Sequence, residues 1–139
     1  MIIIDAKDAI VGRFATVAAK KALLGEHVAI INCKDAVVTG KKKAIIAHWN
    51  EKMDRGAPRQ GPFFPRLSDR FVRKMIRGML PYKQPRGRDA YKRIMCYSGD
   101  PKIEGTAFPI ESANVEKIPG MQYMRIGDLV KYLGGKHEE

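Results

Sequence analysis

The sequence predicts an α/β fold, and three observations carry that prediction. The chain opens on a β-branched apolar run, MIIIDAKD, and a second strand-like run, HVAIINC, occupies residues 27–33. Between them, IVGRFATVAAKKALLG places apolar residues at helical spacing. Strand, helix and strand in so short a span are the signature of a right-handed parallel crossover, the unit of an α/β sandwich. At 139 residues the chain is long enough for one domain with its own core, and 1–139 is read as that domain.

The elements follow in order. MIIIDAKD stops at polar residues and reads as a buried strand. In the next segment Ile10, Phe14, Val17, Ala18 and Leu24 recur near helical spacing, Lys20 and Lys21 fall elsewhere, and Gly25 is placed to end the helix. AVVTG, residues 36–40, is a further extended piece. From Lys41, KKKAIIAHWNEKM predicts a helix with Ile45, Trp49 and Met53 spaced by four along one side. RGAPRQGPFFPRL, residues 55–67, carries three prolines and two glycines and reads as an irregular connection.

SDRFVRKMIRGML is the best-defined element, with Ser68 or Asp69 able to cap its start and Pro81 to terminate it. At roughly 100° per residue, Arg70, Arg73, Lys74 and Arg77 fall on one side, opposite Phe71, Val72, Met75, Ile76, Met79 and Leu80. After YKQPRGR, DAYKR is a short helical piece and IMCY a last sheet strand. Residues 98–124 read as mostly irregular, and MRIGDLVKYLGG closes the chain as an amphipathic helix ending in glycines.

A hydrophobic content of 45% is that of a globular protein. Cys33 and Cys96 are far apart and form no C-x-x-C pair, so reduced, buried thiols are expected. Apolar runs of only a few residues offer neither a membrane span nor a signal-peptide core, which points to a cytosolic protein. His27, His48 and His137 have no metal-ligand spacing. No nucleophile or carboxylate motif indicates catalysis, and neither a cofactor nor a small-molecule substrate is expected.

The formal net charge of +11 is unevenly placed. Residues 41–93 hold 16 Lys/Arg against 4 Asp/Glu, a net of +12, while the rest of the chain holds 10 against 11, a net of −1. Within this segment RKMIRGMLPYKQPRGR, residues 73–88, has six cations and no acid. A solvated helix face alternates Glu with Lys, whereas here Asp69 alone offsets Arg70, Arg73, Lys74 and Arg77. Arginine outnumbers lysine nine to three between residues 55 and 93, and its planar fork suits phosphate. The segment therefore reads as a polyanion-binding surface.

Membranes are disfavoured, because the apolar side of the 68–80 helix is needed to cover a sheet. The Gly- and Pro-rich stretches around Arg55, Arg59, Arg66, Arg86 and Arg88 would form extended arms that follow folded RNA better than a straight DNA groove. VVTGKKKA sets a glycine and lysines at a helix start, where anions are favoured, but Asp35 and Lys42 stand where a phosphate-loop motif needs Gly and Ser or Thr. A nucleotide-dependent enzyme using that turn and a DNA-compacting basic protein are the competing classes, and neither has a motif behind it.

IIIDAKDAIVGRFAT, INCKDAVVTGKK and IRGMLPYKQPRGRDAYKR together closely resemble the universal large-subunit ribosomal protein thirteen family, over about residues 2–133. That resemblance implies a three-layer α/β/α domain around a small, mainly parallel central sheet. It also implies a non-enzymatic, structural role in the large ribosomal subunit, with its ribosomal RNA and neighbouring ribosomal proteins as partners. The short LLGEHVAII connection looks like the archaeal and eukaryotic branch, and the chain's compactness like the archaeal one. The family motif falls on Thr39, Gly40, Lys41 and Lys42, on Arg77, Gly78, Met79, Leu80 and Pro81, and on Arg86, Gly87 and Arg88. Gly78 is expected to allow close approach or packing, and Pro81 to end the helix so that residues 82–88 can run along RNA. The expected RNA-binding residues are Lys41, Lys42, Lys43, Arg55, Arg59, Arg66, Arg70, Arg73, Lys74, Arg77, Lys83, Arg86, Arg88, Lys92 and Arg93. Tyr82 joins them as a residue that could stack on a base or serve packing.

Overall fold

The structure, a computed structural model, describes residues 1–110, 113–117, 120 and 122–135. In chain order its elements are β1 (Ile2–Asp5), α1 (Val11–Leu23), β2 (Val28–Ile31), β3 (Val37–Thr39), α2 (Lys42–Met53), α3 (Ser68–Arg77), α4 (Pro85–Lys92), β4 (Ile94–Cys96), β5 (Ala107–Phe108), β6 (Tyr123–Arg125) and α5 (Ile126–Tyr132). The fold is α/β, as expected. Four strands form a sheet in the order β4-β2-β1-β5, every neighbouring pair parallel, with Ile4 opposite Ile30 and Ile30 opposite Cys96.

Strand alternation decides what each face buries. Ile4, Val28, Ile30, Ile94 and Cys96 enter one large core with Phe14 of α1 and Phe71 and Ile76 of α3. Ile3, Ala29 and Ile31 turn to the other face, where Tyr97, Ile103 and Ala107 pack on them. Small residues bring α1 close to its neighbours: Ala15, Ala18, Ala19 and Ala22 are all buried. Leu24, expected on the apolar stripe, is instead exposed, because it lies past the last helical turn as the C-cap.

AVVTG is extended, but β3 joins a separate two-stranded sheet, pairing antiparallel with β6 so that Val38 faces Met124. Met124 and Arg125 are therefore strand, not the start of the closing helix, and α5 begins directly after them. IMCY becomes β4, which β5 follows in the chain. Leu67 is the N-cap of α3, so neither Ser68 nor Asp69 caps it; the Asp69 carboxylate accepts from the Arg70 N–H at 2.8 Å. The helix ends at Arg77 with Gly78 as C-cap, already complete before Pro81 would break it.

PRGR belongs to α4 and not to an extended arm. Pro85 occupies the first turn, where its fixed φ and missing N–H cost nothing, and the helix carries Arg86 and Arg88 with it. Gly87 is buried where a Cβ would collide with the Pro81 carbonyl, whereas a Cβ on the exposed Gly78 would meet only the Met75 carbonyl at 3.4 Å. The close approach within the chain is thus at Gly87. Both cysteines are free and buried, and the Cys33 thiol is pushed well above its ordinary pKa by a hydrogen bond with Cys96 and by burial.

Candidate nucleic-acid interface

Phe71, Val72 and Ile76 fix one side of α3 in the core, which forces its cations outward or onto neighbouring backbone. Arg70 and Arg77 are exposed. Arg73 is half-buried: its Nε donates to the Ile94 carbonyl at 3.0 Å, its Nη2 donates to the Tyr91 carbonyl at 3.1 Å, and its guanidinium stacks 4.0 Å from the Tyr91 ring. This side chain ties α3 to the end of α4 and to β4. Lys74 donates from Nζ to the Phe63 carbonyl at 3.3 Å and sits 4.1 Å over the Phe64 ring. Burial, then the nearby Arg77 and Lys52 charges, lower its pKa from 10.5.

Arg93 is also turned inward, donating to the Ala22 carbonyl at 3.0 Å, where a cation complements the C-terminal end of α1. Tyr82 lies edge-on to Tyr91 with ring centres 5.4 Å apart, and Arg77 covers its face at 3.9 Å. The Tyr82 ring is therefore engaged in packing. Arg88 donates to the Lys83 carbonyl at 3.4 Å from an otherwise exposed position.

Of the sixteen residues singled out from the sequence, twelve are exposed; Arg73, Lys74, Tyr82 and Arg93 are half-buried. Among the described residues only Arg55 of this set has an acidic partner, Glu51 at 3.3 Å, and both of those side chains are exposed. Such a pair is worth little and is screened by salt. Among the described residues, the positive excess of the segment is left without acidic partners beyond that one pair.

Two helix starts sharpen this. α2 begins at Lys42 and Lys43 with Lys41 as N-cap, and α4 carries Arg86 and Arg88 near its start; neither has an acid in its first turn. Cations at the positive end of a helix dipole cost an isolated helix about 0.3–1 kcal/mol each. The same arrangement of free N–H groups and cations suits an anion. Arg70, Arg73, Lys74 and Arg77 of α3, with Phe63, Pro65 and Tyr91, also line an open hollow of about 300 Å³.

Sequence reasoning missed Phe63. It took Arg55, Arg59 and Arg66 from the 55–67 connection but no aromatic residue, yet the ring is 70% exposed, and a Phe pair among prolines and arginines was the available signal. His48 packs edge-on to Trp49 at 5.4 Å, and His137 lies outside the described residues. Among the described residues no group of three His, Cys, Asp or Glu could hold a metal ion, and no helix is long and apolar enough to cross a membrane.

The family model described as Ribosomal protein L13 matches residues 1–103. Curated relatives named large ribosomal subunit protein uL13 cover nearly the whole chain. The one from Methanopyrus kandleri is 42% identical over 95% of this chain and 86% of its own length. Those from Methanocaldococcus jannaschii and Picrophilus torridus are each 40% identical, over 98% and 99% of this chain and 99% and 100% of their own.

Proposed function

The chain belongs to the ribosomal protein L13 family, whose members are structural components of the ribosome and not enzymes, and from that premise we propose that residues 41–93 seat it on large-subunit ribosomal RNA. In this reading the chain works as one domain of a cytoplasmic, archaeal-type large subunit, beside other ribosomal proteins, and stabilises folded RNA during assembly and translation. The observation that carries it is the set of twelve exposed residues of which one alone has an acidic partner among the described residues. A surface so one-signed raises its own self-repulsion, and phosphates relieve it. The exposed residues, led by Arg70 and Arg77 on α3, Arg86 and Arg88 on α4 and Lys41–Lys43 at α2, make the phosphate contacts.

The test is the double variant Arg70→Glu with Arg77→Glu. Both side chains are exposed, so its circular dichroism should match the parent, while binding to large-subunit RNA falls at least a hundredfold and incorporation into the subunit is lost. If about six phosphates are neutralised, parent affinity should drop on the order of a thousandfold between 50 and 200 mM salt. Normal incorporation of the double variant, or equal affinity for duplex DNA at the same salt, would overturn the reading.

A further inference from the structure

We propose that the ring of Phe63 is a stacking platform for one unpaired base of the RNA, with the cations of α3 holding that nucleotide's phosphates; the inference rests on the reading above. The adjacent residues Phe63 and Phe64 go opposite ways. Phe64 packs edge-on to Trp49 at 5.4 Å and against Phe71 at 5.8 Å, and so anchors the 55–67 connection to the core. Phe63 is left 70% exposed. Its carbonyl is held by Lys74 Nζ at 3.3 Å, so the outward ring is carried on a fixed point of backbone.

The ring stands between two hollows, the one over α3 of about 300 Å³ and one within the connection of about 350 Å³. On one side it is backed by Gly61, where a Cβ would lie 3.2 Å from the ring. Any side chain at residue 61 would compete with whatever lies on Phe63. The surroundings select the occupant. Arg70, Lys74 and Arg77 line the hollow with Phe63, and none of them has an acidic partner among the described residues. A protein partner burying an apolar ring would have to desolvate those charges, and protein interfaces gather apolar residues at their centre. Exposed Met1, Leu24, Met95 and Tyr132 do not line this hollow. Tyr91, which also lines the hollow, is covered by the Arg73 guanidinium at 4.0 Å, so Phe63 offers the exposed ring; an exposed aromatic face beside cations is the arrangement that binds an extruded base together with its backbone.

The experiment measures affinity for protein-free large-subunit ribosomal RNA between 50 and 300 mM salt, and incorporation into subunits, for the full chain and three variants. Phe63→Leu keeps the apolar bulk and removes the π face, Phe63→Trp keeps the face, and Arg70→Gln removes a phosphate contact. Phe63→Leu should bind roughly tenfold more weakly with the parent's salt slope, while Arg70→Gln should reduce that slope by about one. Phe63→Trp should bind like the parent, with its new fluorescence quenched by the RNA. Full affinity of Phe63→Leu, or a loss seen only in incorporation and not on naked RNA, overturns the stacking assignment while leaving the phosphate surface standing; the latter result would place a neighbouring protein on the ring. Failure of the parent to bind the RNA overturns both.

Discussion

Residues 1–40 and residues 41–93 hold their shape by different means. The first region is nearly neutral and packs by shape: four buried alanines of α1 close against β-branched strands, and its only described ion pair reaches out to β6, from Asp8 to Arg125 at 2.7 Å. The second region sets 16 cations against four acids, so its inner cations are stabilised by ring faces and carbonyls. Lys52 lies 4.5 Å over Trp49, Lys74 is 4.1 Å over Phe64, Arg93 donates to the Ala22 carbonyl at 3.0 Å, and Arg73 clamps two carbonyls. The difference teaches that charge in the basic segment does two jobs. Cations that reach a carbonyl on another element build the fold, and those that reach only solvent are left for a partner.

Arg73 and Arg70, three residues apart on one helix, break or sharpen this most strongly. Arg73→Ala leaves the Ile94 and Tyr91 carbonyls without their charged donor, and should lower unfolding free energy by about 3 kcal/mol in urea titration. Arg70→Ala should change it by no more than about 0.5 kcal/mol. Equal losses at the two positions would erase the division between structural and available cations. For the same reason a charge reversal that includes Arg73 cannot test RNA binding cleanly, and Arg70 is the proper partner for Arg77.

Glycines give a smaller contrast. Gly87→Ala drives a methyl into the Pro81 peptide and should cost about 2 kcal/mol while displacing the start of α4, where Arg86 and Arg88 sit. Gly78→Ala meets only the Met75 carbonyl, at 3.4 Å, at a helical φ of −64°, and should be neutral or gain a few tenths of a kcal/mol. Thermal melts of the two variants separate them. A melting point lowered equally by both would mean that Gly78 is packed as tightly as Gly87.

Local pattern made much of this legible. The crossover β1-α1-β2, the helix from Lys42, and the division of α3 between Phe71, Val72 and Ile76 on one side and its cations on the other all follow from periodicity that tertiary structure left alone. The β3-β6 pairing did not, because its partners are more than 80 residues apart and neither strand signals the other. Pro85 was read as part of an arm although proline suits a first helical turn; the cations that follow it masked the start of a helix. At the candidate interface, charge density located the segment but could not sort its arginines. Arg73 and Arg93 were indistinguishable from Arg70 in sequence, since their carbonyl partners lie 18 to 71 residues away.

Lys74 stands on the border between the two kinds of cation and gives the smallest expected effect. Burial beside Arg77 and Lys52 lowers its folded-state pKa from 10.5, so between that lowered value and 10.5 the unfolded chain binds more protons than the folded one. The stability of the free protein relative to a Lys74→Gln variant should therefore rise as pH climbs through this window, and be lowest below it. A phosphate placed near Nζ would favour the charged form and reverse the shift. RNA binding at alkaline pH should then take up a proton, and the affinity difference between parent and Lys74→Gln should shrink as pH rises through the same window. Titration calorimetry in buffers of differing ionisation enthalpy reads that proton directly. No uptake would show that Lys74 serves only Phe63 and Phe64, as Arg73 serves Ile94 and Tyr91, and would move the border of the phosphate surface outward to Arg70 and Arg77.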